Sequence, residues 1–139
     1  MTKSETILQA LEALLATTGK EVQRNIPIPV EIPVGGLIIL RDGEPGEPVV
    51  TMSPLAYEYF HRVTIEVFVQ KKTGREAVFD GIKAAIGSAI AGDRSLGGHC
   101  LWVEPEAPTA SALPFEGAAS VLAAEIGVTL HYLTSDPLA

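Results

Sequence analysis

The sequence predicts an α+β domain in which two helices pack on one face of a mostly antiparallel or mixed sheet of about four strands. Three observations lead to this prediction. Two segments carry apolar residues at helical spacing, two long segments alternate between apolar and polar residues, and the chain runs in the order helix, strands, helix, strands. Because 139 residues is a usual length for one domain, we predict a single domain over residues 1–139.

The first helix is predicted from an apolar stripe near the start of the chain. Ser4 is the expected N-cap and Gly19 the expected C-terminal cap. The stripe consists of Ile7, Leu8, Leu11, Leu14 and Leu15.

The second helix is predicted to begin after Thr73 or Gly74 and to end at Gly92. Gly81 and Gly87 weaken it, and we expect their small size to let the helix lie close to the sheet. Its buried stripe is predicted to be Val78, Ile82, Ala85, Ile86, Ala89 and Ile90.

Short strands are predicted at residues 21–26 and 36–41, separated by a proline-rich segment typical of a sheet edge or an extended connector. Asp42 and Gly43 predict a turn at the end of the second strand. The acidic, proline-rich residues 44–54 are then expected to form a long projecting loop.

Two long strands are predicted at residues 57–70 and 118–133. Alternation places Phe60 and Phe68 on the face of the first strand away from the core, where they could contact something packed against it. Between these strands, residues 101–104 predict a short strand and residues 104–117 a second projecting loop.

Composition excludes several classes of function. The net charge is −7, and no Lys or Arg follows Arg94, so the basic face of a nucleic-acid-binding protein is missing. No stretch approaches the roughly 20 apolar residues of a membrane span. The N-terminus does not resemble a signal peptide, and the single cysteine cannot form an internal disulfide, so we expect a reducing cytoplasm.

The segment "DRSLGGHC", residues 93–100, is the most plausible place for a catalytic site. Adjacent residues of an extended segment point to opposite faces, so His99 is a poor base for Cys100, although His61 or His131 could supply one. We interpret Cys100 as a small buried residue, His61 as a hydrogen-bonded structural histidine, and the segment as a helix stop, a two-glycine bend and a strand entry.

No metal or cofactor site is predicted. The histidines are dispersed without chelating spacing, and no phosphate-binding or nucleophile-elbow motif is present. Glu104 and Glu106 could form a carboxylate pair, but their position around a proline in a loop favours solvated surface charges.

Two stretches resemble the small tail-terminator, or tail-completion, proteins of long-tailed bacteriophages and prophages. They are "LIILRDGEPGEPVVTMSPLAYEYFHRVTIEVFV", residues 37–69, and "AIAGDRSLGGHC", residues 89–100. The resemblance implies a non-enzymatic protein that forms a ring, commonly a hexamer, on the finished tail tube. Such a ring stops tube growth and presents a surface to the head connector, so the implied location is the virion tail, or the bacterial cytoplasm during assembly.

The implied partners are further copies of the chain, the tail tube protein and a head–tail connector protein, with no membrane and no direct sequence-specific contact to nucleic acid. We expect the isolated chain to be monomeric or weakly associated. Two alternatives stay open: another ring-forming neck or head-completion protein, and a small enzyme using Cys100 or the histidines. Contact residues are expected in the two loops; the candidates are Asp42, Gly43, Glu44, Glu47, Met52, Glu104, Glu106 and Phe115.

Overall fold

A computed structural model describes residues 1–29, 31–113 and 121–139, which form two helices and a seven-stranded mixed sheet. The α+β class is confirmed, and the sheet is larger than the four strands expected. The elements are α1 (Lys3–Ala16), β1 (Glu21–Arg24), β2 (Leu37–Glu44), β3 (Val49–Met52), β4 (Leu55–Gln70), α2 (Arg75–Gly92), β5 (Trp102–Pro105), β6 (Thr109–Leu113) and β7 (Val121–Thr134).

Helix α1 begins two residues earlier than expected. Thr2, rather than Ser4, is the N-cap, since its hydroxyl oxygen accepts a hydrogen bond from the Glu5 amide at 3.3 Å. Thr17 is the C-cap, and Gly19 lies in the turn that follows. The apolar stripe is confirmed, and its most buried members are Ile7, Leu8, Leu11 and Leu15.

Helix α2 is capped by Gly74, whose φ of 74° is in the left-handed region. Ile82, Ile86 and Ile90 form its buried stripe, as predicted. The role expected for Gly81 and Gly87 is wrong: both are exposed, and a Cβ added at either position would have no atom within 4 Å. They therefore do not bring the helix closer to the sheet.

The centre of the sheet is a long ribbon in which β4 and β7 pair antiparallel from Tyr57↔Thr134 to Gln70↔Val121. β2 and β3 pair with the free edge of β4, while β5 and β6 pair with the free edge of β7. β1 adds to β2 in parallel. Both segments predicted as loops contain a strand, which is why the sheet has more strands than expected.

The first of these segments forms a β-hairpin. β3 turns through Ser53 and Pro54, joined by a cis peptide bond, and pairs with the start of β4 from Val49↔Glu58 to Met52↔Leu55. Tyr57 is the first β4 residue that pairs with β7, so residues 51–56 extend beyond the end of β7. We call residues 49–56 the projecting hairpin.

The turn predicted at Asp42 and Gly43 is wrong, because β2 continues through them to Glu44 with a register shift against β4. The shift is a β-bulge, in which Gly43 has a φ of 59°. A Cβ at Gly43 would overlap the carbonyl oxygen of Arg62 on β4. Strand pairing therefore overrides the local turn preference of the Asp-Gly pair.

Both helices pack on one face of the sheet, as expected, and form the main core with β2, β4 and β7. The opposite face is covered over half its length by the connector between β1 and β2. There, Ile26 and Ile32 pack on Leu37, Ile39 and Phe68, and the Arg41 guanidinium donates to the Ile26 carbonyl. Within the described part of the chain, no element covers the other half, which faces away from α1 and α2.

Candidate functional site

The cysteine in residues 93–100 is a packed core residue. Cys100 is 7% exposed, and burial raises the pKa of its thiol. Its sulfur lies 3.8 Å from the Arg94 carbonyl oxygen, while His99 is exposed. The bend is confirmed, with Leu96, Gly97 and Gly98 all at positive φ. A protonated, buried thiol is a weak nucleophile, so this segment has the geometry of a structural bend.

The predicted structural role of His61 is confirmed. The side chain is 2% exposed, with Nε2 at 2.6 Å from the Asp42 carbonyl oxygen and Nδ1 at 3.1 Å from the Tyr132 hydroxyl. Because a carbonyl only accepts, Nε2 carries the proton, and Nδ1 accepts from Tyr132. Burial lowers the pKa of His61, and the hydrogen bond that Nε2 donates to the Asp42 carbonyl opposes this shift. Burial also raises the pKa of Tyr132 to about 12.

The described ranges hold no group of three or more His, Cys, Asp or Glu side chains arranged to bind a metal ion. Within the same ranges, neither helix has the length and apolar character needed to cross a membrane. Every buried side-chain nitrogen or oxygen in the described part of the chain has a hydrogen-bond partner.

The uncovered half of the sheet carries large apolar side chains. Residues paired across strands share a face, so the registers Phe60↔His131, Trp102↔His131, Glu58↔Leu133 and Val49↔Glu58 place these side chains together. The exposed fractions are 53% for Phe60, 48% for Trp102, 40% for Leu133 and 53% for Val49. We call Val49, Phe60, Trp102, His131 and Leu133 the aromatic face.

Specific contacts hold the rings of the aromatic face in place. The Phe60 and His131 rings are stacked with centroids 4.4 Å apart, and His131 Nε2 lies 2.9 Å from a Glu58 carboxylate oxygen. The indole nitrogen of Trp102 donates to Glu104 at 2.7 Å, and the Arg94 guanidinium lies 5.0 Å from the Trp102 ring centroid. The face is therefore preorganised, which lowers the entropic cost of binding.

The projecting hairpin exposes further apolar side chains on its other side. Val50, Met52 and Leu55 are 46%, 78% and 49% exposed. An isolated two-stranded hairpin with apolar residues on both sides is marginally stable in water. Its exposed residues are therefore suited to contact with another molecule.

The predicted contact residues fall into separate places. Asp42 lies in a network in which Arg24 donates to its carboxylate at 2.7 Å and to Glu5 at 2.8 Å, linking β1, β2 and α1. The Arg24 guanidinium lowers the pKa values of both carboxyls. Gly43 forms part of the β-bulge in β2. Both have a role within the fold, and their contact with a partner stays a prediction.

The other candidates lie on the surface or outside the described residues. Glu44 and Glu47 are exposed at the base of the projecting hairpin, and Met52 is near its tip. Glu104 and Glu106 do not form a carboxylate pair: Glu104 accepts from Arg94 and Trp102, and Glu106 forms a two-point ion pair with Arg62. Phe115 lies outside the described residues.

Sequence reasoning missed most of the aromatic face. Alternation did place Phe60 away from the core, but the same reasoning applied to Phe68, which the connector buries. The signal that could have found the face is the coincidence of three large side chains on non-core positions of predicted strands. Trp102, Leu133 and Phe60 meet only through strand register, which a single sequence does not specify.

No known protein family matches the sequence, and no curated protein does either. Among solved structures, a similar chain belongs to one described as "Virion of native gene transfer agent (GTA) particle". The TM-score is 0.47 at 19% sequence identity, with 88% of this chain and 89% of that chain covered. Similarity at this level assigns no function, so a functional proposal has to rest on the residues of this chain.

Proposed function

We propose that the protein is a virion assembly component of the tail-terminator type, whose copies form a ring on the end of a tail tube. In this role it stops the addition of tube subunits and offers a surface for head attachment. The observation that carries the proposal is the aromatic face, a preorganised group of aromatic and apolar side chains bordered by charged pairs, on a half of the sheet that no described element covers. The resemblance of residues 37–69 and 89–100 to tail terminators supplies the kind of assembly.

The chemistry of the surface favours binding another protein over converting a small molecule. Aromatic residues are enriched at the centres of protein interfaces, where they supply large buried areas at low entropic cost. The thiol of Cys100 is buried, and both nitrogens of His61 are engaged within the fold. These groups therefore support the fold and are not arranged around a substrate.

A terminator needs two different ring surfaces, one that accepts the tube end and one that refuses a further tube layer. We assign the tube contact to the projecting hairpin, whose Met52 and Leu55 are exposed at one end of the molecule. Glu44 and Glu47 lie at its base. An acidic ring would also let DNA pass along its lumen without adhering.

The test is a tube-polymerisation assay with purified tail tube protein. Addition of this protein should shorten the tubes and place a ring at one end in negative-stain images. Met52→Glu should abolish this capping, because it introduces a charge at the contact, whereas Ala13→Glu on the exposed side of α1 should cap normally. Circular dichroism confirms that both variants fold.

Tubes whose lengths do not change on addition of the protein would overturn the proposal. Binding to a purified connector or portal protein, without binding to tubes, would assign the chain to the neck or head-completion proteins instead. Neutralisation of the hairpin base by Glu44→Gln and Glu47→Gln, with ring formation and capping unchanged, would remove these two carboxylates from the contact.

A further inference from the structure

We infer that the aromatic face is a subunit interface, and that its occupant is the outward surface of α2 on a second copy of this chain. This inference deepens the proposed function by naming the two surfaces through which copies meet. It relies on the proposed function only for the closure of the resulting chain of copies into a ring.

The second half of α2 presents an outward surface without charged residues. No Asp, Glu, Lys or Arg occurs between Lys83 and Asp93. The exposed residues of this part, opposite the buried Ile82, Ile86 and Ile90, are small: Ala84, Gly87, Ser88, Ala91 and Gly92. We call them the smooth helix surface.

Gly87, one of the two glycines in this surface, is not required by close packing against any described residue. A Cβ at Gly87 would have no atom within 4 Å, although glycine weakens an exposed helix. Small residues on a helix let another surface approach its backbone closely. The packing gained in that contact would offset the stability that the helix loses by having glycine there. The large rings of Phe60 and Trp102 are complementary in shape to such a low-relief helix.

The positions of the two surfaces favour a repeating contact. The smooth helix surface points away from the sheet on one side of the molecule, and the aromatic face lies on the sheet face without helices. If one copy places its helix on the next copy's aromatic face, each copy keeps one free surface of each kind. This is a heterologous contact, which continues from copy to copy and can close into a ring.

A face-to-face dimer of two aromatic faces fits the structure less well. It would leave both smooth helix surfaces in water. The area also fits a modest interface: the uncovered half spans about 14 Å over three strand spacings and about 30 Å along β4. That footprint of roughly 400 Å² is about half of what each partner contributes to a standard interface. Association of isolated copies is therefore expected to be weak and to depend on concentration.

The test uses Phe60→Glu and Ala84→Arg, one change on each surface, measured by sedimentation velocity over a range of concentrations. Each variant alone should associate at least tenfold more weakly than the wild type. The matched control is Ala13→Arg, the same substitution at an exposed position of α1, which should associate like the wild type. Far-ultraviolet circular dichroism and thermal unfolding verify that each variant is folded.

Mixing the two variants tests the heterologous geometry directly. An Ala84→Arg copy has an intact aromatic face, and a Phe60→Glu copy has an intact smooth helix surface. The mixture should therefore form one-to-one dimers that do not grow further, while each variant alone stays monomeric. A face-to-face dimer predicts instead that Ala84→Arg associates normally and that the mixture gains nothing.

Wild-type protein that stays monomeric up to about 1 mM, or variants that associate as the wild type does, would overturn the inference. The outcome for the proposed function is separate. If each variant loses association, as predicted, but the wild type does not change tube length, the interface stands and the terminator role falls. If all variants cap tubes as the wild type does, the terminator role stands and the interface falls.

Discussion

Substitution of the bulge glycine, Gly43→Ala, should strongly lower the free energy of unfolding. Gly43 has a φ of 59°, a conformation that costs a residue with a side chain about 1–3 kcal/mol. The added Cβ would also overlap the Arg62 carbonyl oxygen, which belongs to the central strand and cannot move without disturbing its pairing. Overpacking of this kind costs a further ~1–3 kcal/mol. Together we expect a loss of about 2–6 kcal/mol in the free energy of unfolding.

Thermal and urea unfolding monitored by circular dichroism measure this loss. For a domain of this length, the loss lowers Tm by roughly 7–20 °C. Gly46→Ala is the matched control, since Gly46 has a similar φ of 74° but open space around its Cβ position. It should lose only the part due to the positive φ, about 1–3 kcal/mol. If Gly43→Ala and Gly46→Ala lose the same amount, the overlap with β4 is not a constraint and the reasoning is wrong.

Four further predictions concern stability and reactivity. Gly87→Ala should raise the free energy of unfolding by up to about 1 kcal/mol in thermal melts, because its position is open. Burial lowers the pKa of His61 from 6.5, so the unfolded chain takes up the proton first as pH falls. Stability in urea titrations should therefore decrease below about pH 6.5, and His61→Asn, but not His99→Asn, should flatten this dependence. Arg24→Lys should lower the free energy of unfolding by about 1 kcal/mol at pH 7, because lysine cannot donate to the Glu5 and Asp42 carboxylates in a fork. In urea titrations, the difference from the wild type should shrink as pH falls through the lowered pKa values of these two carboxyls. Cys100 should react with iodoacetamide far more slowly in the folded protein than in about 6 M guanidinium, which unfolds most domains. The reason is that burial raises the pKa of its thiol. Equal rates would contradict the buried position.

The elements that sequence reasoning predicted well are those with a long, regular pattern. The apolar stripes of α1 and α2 and the alternation of β4 and β7 extend over many residues, so hydrophobic burial alone determines which side faces the core. Element boundaries were less accurate. Thr2, not Ser4, caps α1, because both residues are chemically able to cap and the choice depends on which backbone amide each side chain reaches.

The elements that sequence reasoning missed depend on pairing between distant segments. Asp42 and Gly43 prefer a turn locally, yet hydrogen bonding to β4 keeps them in a strand with a bulge. β3 and β6 lie in proline-rich stretches whose sequence predicts loops. They are strands because they pair with the long free edges of β4 and β7, respectively. The aromatic face is a product of that same register. Its residues were visible in the sequence, but their proximity was not.

The pairing of β4 with β7 has a consequence for synthesis. Strand β7, the last of the described strands, lies in the middle of the sheet and pairs with β4, which leaves the ribosome long before it. Until β7 emerges, β4 lacks its longest partner strand and the apolar side of the first helix has only part of its cover. Folding of the sheet is therefore expected to be completed only after β7 has left the ribosome.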